Sequence, residues 1–191
     1  MRTLLALLCF SAFGFSQESK PLVPDNASAV KLRDTAFQAA RNGDVKTLEE
    51  YFKQGHPINE TNPRGDTLLI VAVYNGQAKA VDEILKQPKL DINAKNKAGF
   101  SALTAAAFKG HVEIAVALVK AKADVNLANA SKQTPLMFAA QAGKTKMVEY
   151  LLKASADPKV IDASGETALS LAQTRNAKDI VTLLEKALAG K

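Results

Sequence analysis

An all-α solenoid of about five helix-turn-helix units joined by turn loops is the fold class that this sequence predicts, and three observations carry it. Glycine recurs at Gly43, Gly76, Gly110 and Gly143, at spacings of 33, 34 and 33, and Asn176 follows 33 residues later. A small residue stands four positions before each of them: Ala39, Ala72, Ala106, Ala139 and Ala172. An apolar pair follows in phase, as Tyr51-Phe52, Ile84-Leu85, Leu118-Val119 and Leu151-Leu152, with Leu184-Glu185 closing the series. Self-similarity at one fixed period over most of a chain is the signature of stacked supersecondary units.

The first residues stand outside the array. Arg2 supplies a short positive start, and Leu4 to Phe15 form an apolar run too short for the ~20 residues of a bilayer span. Gly14 and Ser16 place small residues at a cleavage site before Gln17. Residues 1–16 therefore read as a secretory signal peptide. Its removal takes away Cys9, the single cysteine, and lowers the formal charge from +6 to +5. The mature chain then has no thiol for a disulfide, a nucleophile or a metal. Residues 17–29, with Pro21 and Pro24 and little apolar content, read as a flexible tether.

The array fills residues 30–191, in units of about 30–61, 62–95, 96–128, 129–161 and 162–191. Each opens on a column of Asp34, Thr67, Ser101, Thr134 and Thr167, where a Thr or Ser hydroxyl caps a first helix. Pro135 suits the first helical position, where its missing N–H costs nothing. The alanine column lets the first helix pack closely, and Gly or Asn turns the chain out of it. Apolar residues at helical spacing, such as Met147, Val148, Leu151 and Leu152, face a second helix inward. Ile58-Asn59, Ile92-Asn93 and Val125-Asn126 form a fourth column that degrades to Pro158-Lys159. Polar loops such as Asn96-Lys97-Ala98-Gly99 and Asp162-Ala163-Ser164-Gly165 lead into the next unit.

With these residues in hand, the chain resembles the ankyrin-repeat family, whose unit is about 33 residues, a β-turn and two antiparallel helices. The resemblance covers roughly Val30 to Leu188. It departs from the family pattern at one position: Thr-Pro-Leu-His appears only as Thr134-Pro135-Leu136, and Phe37, Ile70, Thr104, Met137 and Ser170 stand where the family's hydrogen-bonding histidine would be. His111, beside Gly110, matches a second family position.

Catalytic chemistry is not legible. His56 and His111 lie in turns, a repeat and a half apart, with no convergent metal ligands spaced around them. The glycines are 33 apart and cradle no phosphate. Adjacent carboxylates such as Glu49-Glu50 point different ways along a helix. No catalytic residue, cofactor or metal is assigned. Three Asn-x-Ser/Thr triplets begin at Asn26, Asn59 and Asn129, and read as coincidences of asparagine-rich loops.

The resemblance implies a protein-binding role through the concave face, built from loop tips and first-helix ends. It places Arg64, Asp66, Lys97, Phe100 and Gln133 at the tips and Tyr74, Asn75, Phe108, Lys109 and Gln141 at the helix ends; Lys95 lies beside them. Tyr74, Phe100 and Phe108, amid Arg64, Lys95, Lys97 and Lys109, have the composition of an interface anchor. The alternative is that Phe100 and Phe108 pack on neighbouring loops. The expected function is an exported, non-enzymatic, monomeric module, periplasmic in a bacterium. Its expected partner is a protein with an acidic surface, with neither nucleic acid nor membrane insertion. Two further expectations stand beside it: a periplasmic factor that supports an oxidant-defence enzyme such as catalase, and a secreted effector or enzyme.

Overall fold

In the computed structural model, residues 26–190 are described and form ten helices. The signal peptide and most of the tether lie outside the described residues. The helices pair as α1 (Asn26–Asn42) with α2 (Val45–Lys53), α3 (Leu68–Tyr74) with α4 (Ala78–Leu85), α5 (Ala102–Lys109) with α6 (Val112–Lys120), α7 (Pro135–Gln141) with α8 (Thr145–Lys153), and α9 (Ala168–Thr174) with α10 (Lys178–Ala189). Among the described residues the sole β pairing is an isolated bridge between Thr61 and Thr67.

The capping column works as its residue types dictate. Thr67, Ser101, Thr134 and Thr167 accept hydrogen bonds from the amides of Ile70, Thr104, Met137 and Ser170 at 3.1–3.4 Å. Asp34 does not belong to this group. It lies inside α1, which starts at Asn26 within the segment read as tether, and it pairs with Arg33. The cause is local: no proline or glycine interrupts residues 26–42, and no preceding loop requires a break at position 34.

Each first helix leaves through a left-handed residue: Gly43, Gly76, Gly110 and Gly143 at φ 66–81°, and Asn176 at φ 54°. Asparagine tolerates this region better than any other side chain except glycine's hydrogen, which is why the fifth unit can dispense with Gly.

The core follows the period. Ala39, Ala72, Ala106, Ala139 and Ala172 are buried on the first helices; Leu48, Ile84, Leu118, Leu151 and Leu184 are buried on the second. At every step the first helices lie in closer mutual contact than the second helices. Small side chains permit that approach, so the stack bends with the first helices on the inside. Where the family histidine is missing, Phe37, Ile70 and Met137 are buried and apolar, and Thr104 exchanges a 3.1 Å hydroxyl contact with Ser101. Apolar packing thus replaces the polar link at Phe37, Ile70 and Met137, while Thr104 and Ser170 make polar contacts within their own capping turns.

The fourth column is a hydrogen-bond ladder between units. Asn59, Asn93 and Asn126 each accept from a backbone amide in the next unit, those of Asp91, Asp124 and Asp157, at 2.9–3.0 Å. Lys159 cannot accept, and the ladder stops there.

Candidate protein-binding groove

The loop ahead of each first helix is built on one polar side chain. Asn62 Oδ1 accepts from the amides of Arg64 and Asp66, and Asn96 Oδ1 from those of Ala98 and Phe100. Asn129 Oδ1 accepts from the Gln133 amide, and Asp162 Oδ1 from the Ser164 and Glu166 amides. The Glu166 amide, with the Ser164 amide and the Gln133 side chain behind it, holds the Asp162 carboxyl below the usual range against the opposing effect of burial. Each loop then turns through a left-handed residue at Gly65, Gly99, Lys132 and Gly165.

Neighbouring loops are stitched together. The Lys97 amide donates to the Arg64 carbonyl at 3.2 Å, and the Ala163 amide to that of Ser131 at 2.9 Å. Asn96 Nδ2 donates to Asp66 Oδ1 at 2.7 Å. Asp66 Oδ2 accepts from Asn62 Nδ2 and Arg64 Nε, both at 3.1 Å. Between the last two units the same link runs with reversed polarity: Gln133 Nε2 donates to Asp162 Oδ2 at 3.2 Å.

Between these loops and the first helices lies a groove of about 700 Å³, lined from unit one to unit three. Arg41, Arg64 and Lys97 bring positive charge to it, and Ile70, Val71, Tyr74, Phe100 and Ala105 supply apolar surface. Six of the eleven residues singled out in the sequence line it: Arg64, Asp66, Tyr74, Asn75, Lys97 and Phe100. Their roles differ. Arg64 is free at its outer end, its side chain 71% exposed, because only Nε engages Asp66. Asp66 is buried and committed to three internal donors, so it is a framework residue and not a free recognition group. Asn75 caps α3 and bonds the Val71 carbonyl. Phe100 is half-buried, with its ring 4.8 Å from that of Phe138 on α7; it packs on the next unit's first helix while facing the groove. Tyr74 is 46% exposed, with Lys109 Nζ 4.7 Å from its ring centroid. That distance is within cation–π range.

The other five sit outside. Phe108 is 39% exposed, one unit along from Tyr74. Lys109 reaches the groove only by way of the Tyr74 ring. Lys95 is tied to the Ala128 carbonyl at 3.0 Å, and Gln133 to Asn129 and Asp162. Gln141 is half-buried at the end of α7. Arg41, which is not among those eleven, also lines the groove. Its signal was its register: it stands 33 residues before Tyr74, in the same column of first-helix ends.

His111 lies just behind Tyr74. Its ring packs against Gly76, where an added Cβ would come within 3.1 Å of Cε1, and its Nε2 is buried without a hydrogen-bond partner. Burial holds the imidazole below its ordinary pKa; the Tyr74 carbonyl pulls the other way, and Lys109 and Lys144 lower it further. Asn59 and Asn129, two of the triplet asparagines, have their side chains engaged in the ladder and the loop network. Among the described residues no three His, Cys, Asp or Glu side chains gather where a metal could bind. Nor is any described helix long and apolar enough to cross a membrane.

Comparison with known proteins bears on the repeat directly. A family model for ankyrin repeats (3 copies) matches residues 36–129 and again 121–189. This chain belongs to the ankyrin-repeat family. Members of this family generally serve as non-enzymatic protein-interaction modules. Similar proteins include alpha-latrocrustotoxin-Lt1a of Latrodectus tredecimguttatus, 29% identical over 98 residues, which are 51% of this chain and 7% of the toxin. A putative ankyrin repeat protein of Pseudomonas aeruginosa is 44% identical over 45 residues, 24% of this chain and 26% of its own length. The human Notch-regulated ankyrin repeat-containing protein is 33% identical over 96 residues, 48% of this chain and 83% of its own. The chain thus spans only a small part of the first two relatives.

Proposed function

We propose that this array is an exported, monomeric binding module that captures another protein in the groove across its first three units and carries out no chemistry of its own. The observation that carries the reading is the groove itself. It places Arg64, Lys97 and the half-buried Phe100 on loops already fixed by hydrogen bonds, and Arg41 and the exposed Tyr74 at the ends of packed first helices. Rigid loops lose little conformational entropy on binding, so more of the contact energy becomes affinity. Export rests on the leader-like pattern of Arg2, Leu4 to Phe15, Gly14 and Ser16, and a bacterial periplasm is the compartment we assign to it.

The test is capture from native extract on three immobilised baits. One is the natural chain. The second carries Arg41→Glu and Tyr74→Ala, both exposed positions. The third carries Lys53→Glu and Lys153→Glu on second helices, away from the groove. A partner held by the first and third baits and lost from the second supports the groove. A partner held equally by all three, with unchanged helical circular dichroism, sinks it. Fractionation of the natural host tests export: retention of the chain in the cytoplasm at its unprocessed mass contradicts it.

A further inference from the structure

We infer that the groove's occupant is a short extended segment of the partner, with acidic side chains flanking one aliphatic or aromatic side chain. This rests on the reading above and narrows it from a protein surface to a peptide chemistry.

Charge is the first argument. The lining residues hold three cations and one carboxylate. That carboxylate, Asp66, spends both oxygens on Asn62, Arg64 and Asn96 and offers no acceptor to a ligand cation. Arg64 turns only Nε inward, which leaves its two terminal nitrogens as a planar fork suited to a carboxylate. Arg41 forms no ion pair among the described residues. The groove therefore presents unspent positive charge around apolar surface, and its complement is a carboxylate beside an apolar side chain.

Size and span are the second argument. A cavity of about 700 Å³ takes a few side chains; a folded surface typically brings roughly 800 Å² and 20–30 residues to an interface. Two steps between packed helices, at about 8–10 Å each, separate the first unit from the third. An extended chain covers that distance in about five or six residues, at roughly 3.3 Å per residue. Alternate side chains of such a segment fall on one side, so an apolar one can enter between Tyr74 and Phe100 while its acidic neighbours reach the rim. A polyanion with regularly spaced phosphates fits less well. At the loop positions equivalent to Lys97 and Arg64, the fourth unit has Ala130 and Ser131 and the fifth has Ala163 and Ser164, so the cations that line the groove do not recur at their own positions beyond it.

Fluorescence anisotropy on the full chain tests this. The probe is a fluorescein-labelled hexapeptide pool with Asp or Glu at the second and fourth positions and Leu or Phe at the third. Three comparison probes accompany it: a pool with Asn or Gln in place of the acids, a pool with Ser in place of the apolar residue, and a twelve-nucleotide oligothymidylate. The expected result is saturable binding of the first pool, weakened at least about tenfold by either peptide replacement. It should weaken as salt rises from about 50 to about 300 mM. Arg41→Glu and, separately, Lys97→Glu should each weaken it about tenfold with the helical signal unchanged. Equal binding of the acidic and amide pools, tighter binding of the oligonucleotide, or indifference to both variants overturns the inference. Should a whole partner still be captured in a groove-dependent way while no acidic pool binds, the interface reading stands and the peptide inference falls.

Discussion

The link between Asp66 and Asn96 can be tested by exchanging donor and acceptor. Asp66 accepts from Asn96 on Oδ1 and from Asn62 and Arg64 on Oδ2. In Asp66→Asn one of those oxygens becomes an NH2 group facing a donor. Neither neighbouring asparagine can flip to relieve it, because Asn62 Oδ1 and Asn96 Oδ1 are each held by two backbone amides. One opposed donor pair at a buried site costs about 1–3 kcal/mol. With a urea dependence of about 2 kcal/mol per molar, the midpoint should fall by roughly 0.5–1.5 M. Asn96→Asp alone should also destabilise, by setting two carboxylates against each other. The double exchange, Asp66→Asn with Asn96→Asp, restores every partner: the new amide donates outward and the new carboxylate accepts. The molecule already uses this polarity two steps further along, where Gln133 donates to Asp162. Urea unfolding of the four proteins gives the coupling, and hydrogen exchange of the Lys97 amide reports the joint between the loops. A double exchange no more stable than the sum of the single losses, or an Asp66→Asn protein within about 0.3 kcal/mol of the natural one, would refute the reasoning.

Three further outcomes follow from the same geometry. Gly76→Ala combines a left-handed backbone with the His111 contact, whereas an added Cβ at Gly143 meets nothing within 4 Å. Thermal unfolding should show Gly143→Ala costing about 1–2 kcal/mol and Gly76→Ala measurably more, and equal losses would contradict the His111 contact. Because burial lowers the His111 pKa, folding favours the neutral ring. Its contribution is therefore complete above the unfolded value of about 6.5 and declines as pH falls below it. His111→Gln, which copies Gln77 one unit earlier, should flatten the stability profile between about pH 8 and 5, and an unchanged slope would exclude the histidine as its source. Leu118→Ala, at a fully buried position of α6, should cost about 2–5 kcal/mol by denaturant unfolding, and a loss under 1 kcal/mol would contradict that packing.

Period made the framework legible. Where a residue performs the same physical task in every unit, its type recurs at the same spacing: the capping hydroxyls, the left-handed glycines and Asn176, the ladder asparagines and the buried Leu48, Ile84, Leu118, Leu151 and Leu184. The same logic fails at the ends, where a unit loses a neighbour. Asp34 sits in the capping column but has no loop to terminate, so α1 runs through it to Asn26. The groove was only half legible for a different reason. Sequence placed Asp66 and Phe100 in one column of loop positions, but which of them faces a ligand depends on which atoms the next unit engages. Asp66 is bound by Asn96, 30 residues away, whereas Phe100 leans on Phe138. Lys95 and Lys97 look alike as letters two positions apart. One reaches the Ala128 carbonyl in the following unit and the other the Pro63 carbonyl in the preceding one, on the groove side.

The repeat also supplies an internal contrast that separates framework from function. Columns whose members share one chemistry are consumed by folding. The first-helix-end column runs Arg41, Tyr74, Phe108, Gln141, Thr174, with no common size, charge or polarity, and Arg41, Tyr74, Phe108 and Thr174 are all exposed. The stack asks nothing of that position except that it not obstruct the turn that follows, so what stands there is free to answer to something outside the chain. Its cationic and aromatic members fall in units one to three and its small or neutral polar members in units four and five. The loop column of Arg64, Ala98, Ser131 and Ser164 loses its charge in the same direction. Two columns that folding leaves free therefore grade together toward the same end of the array. Two independent solvated surfaces have no reason to do that, whereas the two walls of one groove do.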